Sequence, residues 1–433
     1  MTTDNLPKKW IKTKLGTLIE LKYGKSLAAH SRDGIGFDVF GSNGVVGKHS
    51  TALVNTHGLI VGRKGSHGVV NKSIAPFFPI DTTYYVDEFH QQPINFWFYY
   101  LTLLPLTRLN RSTAIPGLNR DDAYDLDIML PSINEQKIIA DKLDDLLARV
   151  ENIKTRLENI PEILKKFRQS VLSAAVSGEL TEEWRKENES PFDLWKSGIL
   201  NDFIQKPSYG SSSKSQSEGE IPVLRMGNLQ RGEIDWTDLV YTSDPKEIEK
   251  YTLASGDVLF NRTNSPELVG KTSIYRGERN AIYAGYLIRV KVKDSLNSDF
   301  LNYHLNSPQA KEYCLSVKSD GVSQSNINAK KLSEYPIAVP PYSEQLEIVN
   351  KLESFFHYID NLEKKSTNAI LYINSLSQSI LAKAFRGELT AQWREENPDL
   401  ISGINSAEAL LEKITAEKLA TGTVKKRAKK SIH

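Results

Sequence analysis

The chain has 433 residues, of which 39% are hydrophobic and 25% charged, with a formal net charge of +2. That length implies about three domains, and the composition excludes a disordered polymer. A single cysteine, Cys314, excludes an intrachain disulfide framework and a cysteine-based zinc site and fits a reducing cytoplasm. No apolar run nears the roughly 20 residues of a membrane span, and the polar start from Met1 to Lys9 lacks the shape of a signal peptide.

Residues 1–130 alternate short β-rich runs with glycine punctuation. The first run is Gly41-Ser42-Asn43-Gly44-Val45-Val46-Gly47-Lys48 and the second is Gly58-Leu59-Ile60-Val61-Gly62-Arg63-Lys64-Gly65-Ser66-His67-Gly68. An aromatic stretch from Phe96 to Leu104 reads as helix. Asn, Arg and Lys carry the donor patterns that read adenine and guanine edges, and glycine lets a turn approach a phosphate closely. Ser42, Asn43, Lys48, Arg63, Lys64, Ser66 and His67 are therefore the DNA-contact candidates of this domain.

Residues 131–190 form a shared spacer. It opens with Leu130-Pro131-Ser132-Ile133-Asn134-Glu135-Gln136 and closes with Gly178-Glu179-Leu180-Thr181 and Trp184-Arg185. Between these, Ile139, Leu143, Leu146, Val150, Ile153, Leu157, Ile160, Leu164, Phe167 and Val171 recur at alternating steps of four and three. This is a heptad seam for a partner helix. Asn134 is the candidate N-cap and Gly178 the stop, and Pro161 should bend the helix without ending it, because the heptad phase continues across it.

Residues 191–338 repeat the plan of the first domain in different letters. Trp195 echoes Trp10, and Gly256-Asp257-Val258-Leu259-Phe260-Asn261-Arg262 echoes Gly58 to Lys64. Ser208 to Ser217 reads as a flexible loop. The matching contact candidates are Arg225, Asn228, Arg262, Thr263, Asn264, Lys271, Ser323 and Gln324. The shared spacer then returns over residues 339–400, displaced by a constant 209 positions, as in Glu135 to Glu344 and Trp184 to Trp393. Its seam is Ile348, Leu352, Phe355, Ile359, Leu362, Ile373, Leu376 and Ile380, with Ser343 as candidate N-cap and Gly387 as stop. Residues 401–433 add a further helix and the basic tail Lys425-Lys426-Arg427-Ala428-Lys429-Lys430.

The expected fold class is α/β: two α/β recognition domains separated by two long antiparallel coiled-coil helices, a pseudo-twofold internal repeat. Catalytic signatures are missing. Pro340-Pro341-Tyr342 follows Val339, which lacks the acceptor an amino-methyltransferase needs at that place. Gly270-Lys271-Thr272 has Ser265 where a P-loop needs its first glycine.

The doubled Pro-x-x-x-Glu-Gln helix lead-ins, the Gly-Glu-Leu-Thr…Trp-Arg exits and the run from Ser379 to Arg394 resemble the DNA-specificity subunit of type I restriction–modification systems, with a type IA-like C-terminal segment. The resemblance implies a non-catalytic protein whose two domains each read one half of a split, asymmetric site on double-stranded DNA. It implies helices that set the unread spacer, two methyltransferase (modification) subunits for adenine-N6 methylation, and an endonuclease/translocase (restriction) subunit. S-adenosylmethionine, ATP and magnesium would belong to those partners, with no cofactor in this chain. A coiled-coil scaffold without DNA specificity and a methyltransferase carrying its own specificity domain are the alternatives.

Overall fold

The computed structural model describes residues 7–110, 116–321 and 324–421. Its contacts divide into two compact units, one combining residues 1–157 with 368–433 and the other spanning 158–367. Each unit is a mixed α/β domain joined to one half of each of two long helices, Ile133–Ser177 and Tyr342–Phe385.

In the first unit a four-stranded antiparallel sheet has the order Lys22–Tyr23, Thr83–Val86, Gly58–Gly62, Val70–Ser73. A three-stranded sheet places Phe37–Gly41 between Gly44–His49 and Phe77–Pro79, the latter pairing parallel. Ile11–Lys14 pairs with Asp127–Leu130 and brings the ends of the domain together. The second unit repeats this order strand for strand. Its four-stranded sheet runs Ser208–Tyr209, Leu287–Val290, Val258–Asn261, Thr272–Ile274. Ile221–Leu224 lies between Val240–Thr242 and, in parallel, Ile282–Tyr283, and Lys196–Ile199 pairs with Pro336–Val339.

The glycine-bounded runs become the central strands because both faces are covered. Leu59 and Val61 enter one core and Ile60 another, and Val258 and Phe260 likewise oppose Leu259. A strand buried on both sides needs a continuous apolar run, not alternation. The aromatic stretch forms the helix Ile94–Leu103, matched in the second unit by Ser298–Leu305. Ser208–Tyr209 is an edge strand, so the Ser-rich stretch begins as sheet and not as the flexible loop expected.

The repeated motifs close each unit with a buried clasp. In the first, Glu135 at the start of one long helix accepts from Trp10 Nε1 at 2.9 Å, Thr390 Oγ1 at 2.6 Å and Arg394 Nη1 at 3.2 Å. In the second, Glu344 accepts from Trp195 Nε1 at 2.9 Å, and from Thr181 Oγ1 and Arg185 Nη1 at 2.7 Å each. The neighbouring glutamines fold back on their own lead-ins, Gln136 onto the Pro131 carbonyl and Gln345 onto the Pro340 carbonyl. Burial pushes the Glu135 carboxyl up, while the hydrogen bond from Thr390, the charge of Arg394 and the bond from Trp10 pull it down. Each unit thus fastens the start of one long helix to the exit of the other, so the half-helices within it run antiparallel. Gly178 (φ +84°) and Gly387 (φ +74°) make those exits in the left-handed region that only glycine enters freely.

The helix stripes are wider than a seam. Ile139, Leu143, Val150, Ile373 and Ile380 are buried in the core that contains Trp10, Phe96 and Trp97, with Leu146, Leu157 and Leu376 packed against it. Val171, Ile348 and Leu352 join the second domain's core, and Leu164 and Ile359 are also buried. Ile160 and Leu362 are half-buried. Three expected seam positions stay open, Ile153 at 46% exposed, Phe167 at 40% and Phe355 at 36%, although the two phenylalanine rings meet edge-on at 6.1 Å. The caps also differ from expectation. Ser132 Oγ accepts from the Glu135 amide at 3.2 Å, whereas Asn134 lies inside the helix and donates to the Leu400 carbonyl. The second helix begins at Tyr342, one residue before Ser343. The first helix continues unbroken through Pro161.

Candidate nucleic-acid interface

In the first domain three segments meet at one carbonyl. The amides of Arg63 and Lys64 donate to Thr82 O at 2.9 and 3.1 Å, and Ser42 Oγ donates to the same oxygen at 2.7 Å. Ser42 Oγ also lies 2.6 Å from Lys64 O, so its one hydroxyl hydrogen is shared between the two carbonyls and ties the hairpin turn to the loop after the central strand. Gly62 permits this, since a Cβ there would lie 2.1 Å from the Ser66 carbonyl oxygen. Asn43 at the hairpin tip is exposed, as are Lys64 and Ser66. His67 sets Nδ1 3.3 Å from Gly65 O and leaves Nε2 buried without a partner. Lys48 does not join this group. It sits five residues along the strand from Asn43, about 15 Å away by strand geometry, and pairs with Asp38 at 3.4 Å.

Arg63 is held on two sides. Nε and Nη2 donate to Asp81 O at 3.0 and 2.5 Å, and the guanidinium lies 5.3 Å from the centre of the Tyr23 ring and 6.0 Å from Tyr84. Arg120, the first residue of a helix capped by Asn119, approaches the same Tyr23 ring at 5.1 Å. The Tyr84 phenol is pushed up to about 12, first by burial and then by Tyr23 beside it, with Arg63 and Arg120 pulling it down.

The second domain sets Arg262 in the matching place. Its amide donates to Tyr286 O at 3.0 Å, its carbonyl accepts from Ile327 N at 2.9 Å, and its guanidinium lies 4.5 Å from the Tyr209 ring centre. Arg262 Nη2 reaches Asn326 Oδ1 at 3.5 Å, and Asn326 Nδ2 donates to Thr263 Oγ1 at 2.7 Å. Thr263 and Asn264 form a short strand against Ser325–Asn326. Asn261 stands where the first domain has Gly62; it is fully buried and neither end of its amide has a partner, nor does the buried Arg262 Nε.

Other candidates fall elsewhere. Asn228 is buried, and its carboxamide is fully engaged with the Arg225 amide and the Asp235 and Asp238 carbonyls at 2.8 to 2.9 Å. It staples its loop and has no group left for a base. Arg225, half-buried, reaches Asp238 at 3.1 Å. Lys271, pushed down by burial, donates to Gln230 and lines a cleft of about 490 Å3 with Arg231, Lys311 and Glu363. Thr272 beside it is a buried strand residue, so Gly270-Lys271-Thr272 makes no phosphate cradle. Gln324 is exposed; Ser323 and the basic tail lie outside the described residues.

Tyr23, Tyr209, Arg120, Asn261 and Asn326 were absent from the sequence candidates. A signal for the tyrosines existed. Tyr23-Gly24 and Tyr209-Gly210 follow Trp10 and Trp195 by nearly equal intervals, and a Cβ on either glycine would fall 2.1 or 2.2 Å from a neighbouring carbonyl oxygen.

Comparison with known proteins agrees with this architecture. The family model described as type I restriction modification DNA specificity domain matches residues 7–162 and 193–372. The chain is 36% identical to the type I restriction enzyme EcoDI specificity subunit of Escherichia coli, over all of both chains. It is 39% identical to the EcoKI specificity subunit of Escherichia coli strain K12, over 85% of this chain and 82% of the relative. Among solved structures, the HsdS subunit from Thermoanaerobacter tengcongensis superposes with a TM-score of 0.58 at 18% identity, covering 88% of this chain and 98% of that one. A chain from work on complex assembly and conformational transition of the type I R-M system gives 0.63 at 18% identity, covering 88% and 99%. At that identity the superpositions speak for the fold alone. No helix among the described residues is long and apolar enough to cross a membrane. Matched in both halves by the family model and from end to end by a specificity subunit, the chain belongs to the type I restriction–modification DNA specificity family.

Proposed function

We propose that this chain is the sequence-reading, non-catalytic subunit of a cytoplasmic type I restriction–modification complex. Each recognition domain reads one half of a bipartite, asymmetric site on double-stranded DNA, and the two long helices fix the unread interval between the halves. Two methyltransferase subunits, carrying S-adenosylmethionine, act on adenine N6 at the sites so chosen. Endonuclease/translocase subunits bring ATP and magnesium.

The observation that carries this reading is a fold built twice with its polar edge rewritten. The strand order is the same in both domains, while Gly62, Lys64 and Gly65 in one stand against Asn261, Thr263 and Asn264 in the other. In the second domain the buried Asn261 amide and Arg262 Nε stand together without partners beside this edge, and buried polar groups left unpaired call for a functional reason. Exchanging residues 191–338 for the matching region of a relative should change one half of the methylated motif and leave the other intact, as read by mapping methylated adenines in cells expressing the whole system. Both halves changing together would refute two independent readers.

A further inference from the structure

The two domains differ wherever a reader should differ, yet one arrangement is the same in both. An arginine leaves the central strand, Arg63 after Gly58–Gly62 and Arg262 after Val258–Asn261. It lies against a tyrosine on the edge strand of the same sheet, Tyr23 at 5.3 Å and Tyr209 at 4.5 Å. Both tyrosines are largely open to solvent, 51% and 41% exposed. Each is followed by a glycine pressed onto the neighbouring backbone, which sets the ring's place. Each arginine is stitched by its carbonyl to a residue just ahead of an asparagine-capped helix, Leu118 before Asn119 and Ile327 before Asn328. In the first domain the helix start reaches the ring through Arg120; in the second the Ala329 amide donates to the Tyr209 hydroxyl at 2.9 Å. The ring thus holds the same three segments by two different contacts.

From this we infer that Arg63 on Tyr23 and Arg262 on Tyr209 are sequence-independent anchors on the DNA phosphodiester, and that base discrimination falls on the residues around them. The inference rests on the DNA-reading function proposed above. A group identical in two readers of different sequences is not what makes them differ. The geometry agrees. Bidentate recognition of guanine needs a free guanidinium edge. Arg63 already commits its Nε–Nη2 edge to the Asp81 carbonyl, and Arg262 buries its Nε and sets Nη2 by Asn326. What remains is a fixed positive charge with Nη1 free of these contacts, and a single phosphate oxygen matches it. Stacking on a ring lowers the conformational freedom lost when that contact forms.

The test uses the assembled complex on two duplexes of equal length, one carrying the methylated motif and one scrambled, over a range of salt concentrations. Arg63→Ala and Arg262→Ala should each weaken binding to both duplexes by about tenfold, the size of one charged contact. Each should also lower the log–log salt slope by about 1, leaving the methylated motif unaltered. The double variant should multiply the two losses, because the sites are independent. Arg63→Lys, which keeps the charge, should recover most of the affinity and serves as the check that the loop remains folded. A loss confined to the motif duplex, a relaxed motif, or unchanged binding would each overturn the anchor assignment. A wild-type complex that fails to prefer the motif duplex would overturn the two-reader function and leave the phosphate contact standing.

Discussion

The clasps and the polar edges of the two units behave oppositely under the same duplication. Around Glu135 and Glu344 the partners agree type for type, Trp, Thr and Arg in each, with the Trp and Thr distances matching within 0.1 Å and the Arg closer to Glu344, 2.7 against 3.2 Å. Around Arg63 and Arg262 the ring, the glycine after it and the stitch to the asparagine-capped helix persist, while the side chains beside them are replaced. The difference follows from burial. A carboxylate removed from water needs every one of its hydrogen bonds, and losing one partner leaves a charge that neither solvent nor protein satisfies. An exposed turn carries no such penalty, so its side chains are free to change. The units therefore keep a constant inside and a variable rim.

The strongest way to break that comparison is to remove the clasp carboxylates. Glu135→Ala strands the buried Arg394, and Glu344→Ala strands Arg185. Each should destabilise its own unit by about 3–5 kcal/mol. Hydrogen exchange, measured separately in the two units, should show the loss on the side of the substitution. Glu→Gln, which keeps an acceptor oxygen, should lose less. If one unit tolerates the alanine, the clasps are equivalent in geometry only.

Acid should separate the units next. His304 lies buried in Ser298–Leu305, its Nδ1 3.1 Å from the Tyr335 hydroxyl, and burial holds its pKa down to about 4. The first unit has Tyr100 at the matching turn of its helix, where the hydroxyl accepts from the Met129 amide. With a folded value below the usual 6.5, the neutral imidazole is the form the fold prefers. Its contribution is complete above about pH 6.5 and is lost as pH falls toward 4, about 3 kcal/mol in all. The second unit should therefore open first between these limits, and His304→Phe should flatten its acid response. Equal protection of both units at pH 4.5 would remove His304 as the cause.

Periodicity and repetition made the frame legible in the sequence. The glycine-bounded apolar runs are central strands, the four-and-three spacing gives helices over Ile133–Ser177 and Tyr342–Phe385, and the Pro-x-x-x-Glu-Gln and Thr…Arg motifs prove to be partners across space. What the pattern hid were choices made by tertiary contact. Asn228 has the chemistry of a base reader, yet three backbone groups of its own loop claim it. Tyr209 lay in a Ser-rich stretch that reads as loop, because a two-residue edge strand is too short to show an alternation. Ile153, Phe167 and Phe355 keep the heptad phase but stay open, and none of the three belongs to a domain core.

The smallest expected effect lies at the far end of the first domain's hairpin. Lys48 and Asp38 form a half-exposed pair at 3.4 Å, and such pairs contribute less than about 1 kcal/mol. Lys48→Ala should leave the melting temperature within the range of an ordinary surface change, about 0.5 kcal/mol. Lys48 sits well along the strand from Asn43, so if the hairpin tip reads bases as proposed, Lys48 is expected to contact the DNA backbone beside them. The substitution should then lower the salt slope of the complex by about 1 and leave the methylated motif as it was. Val240–Thr242, the matching strand of the second domain, carries no cation, so the contact has no counterpart there. A salt dependence identical to wild type would confine DNA contact in the first domain to the tip and the Arg63 loop.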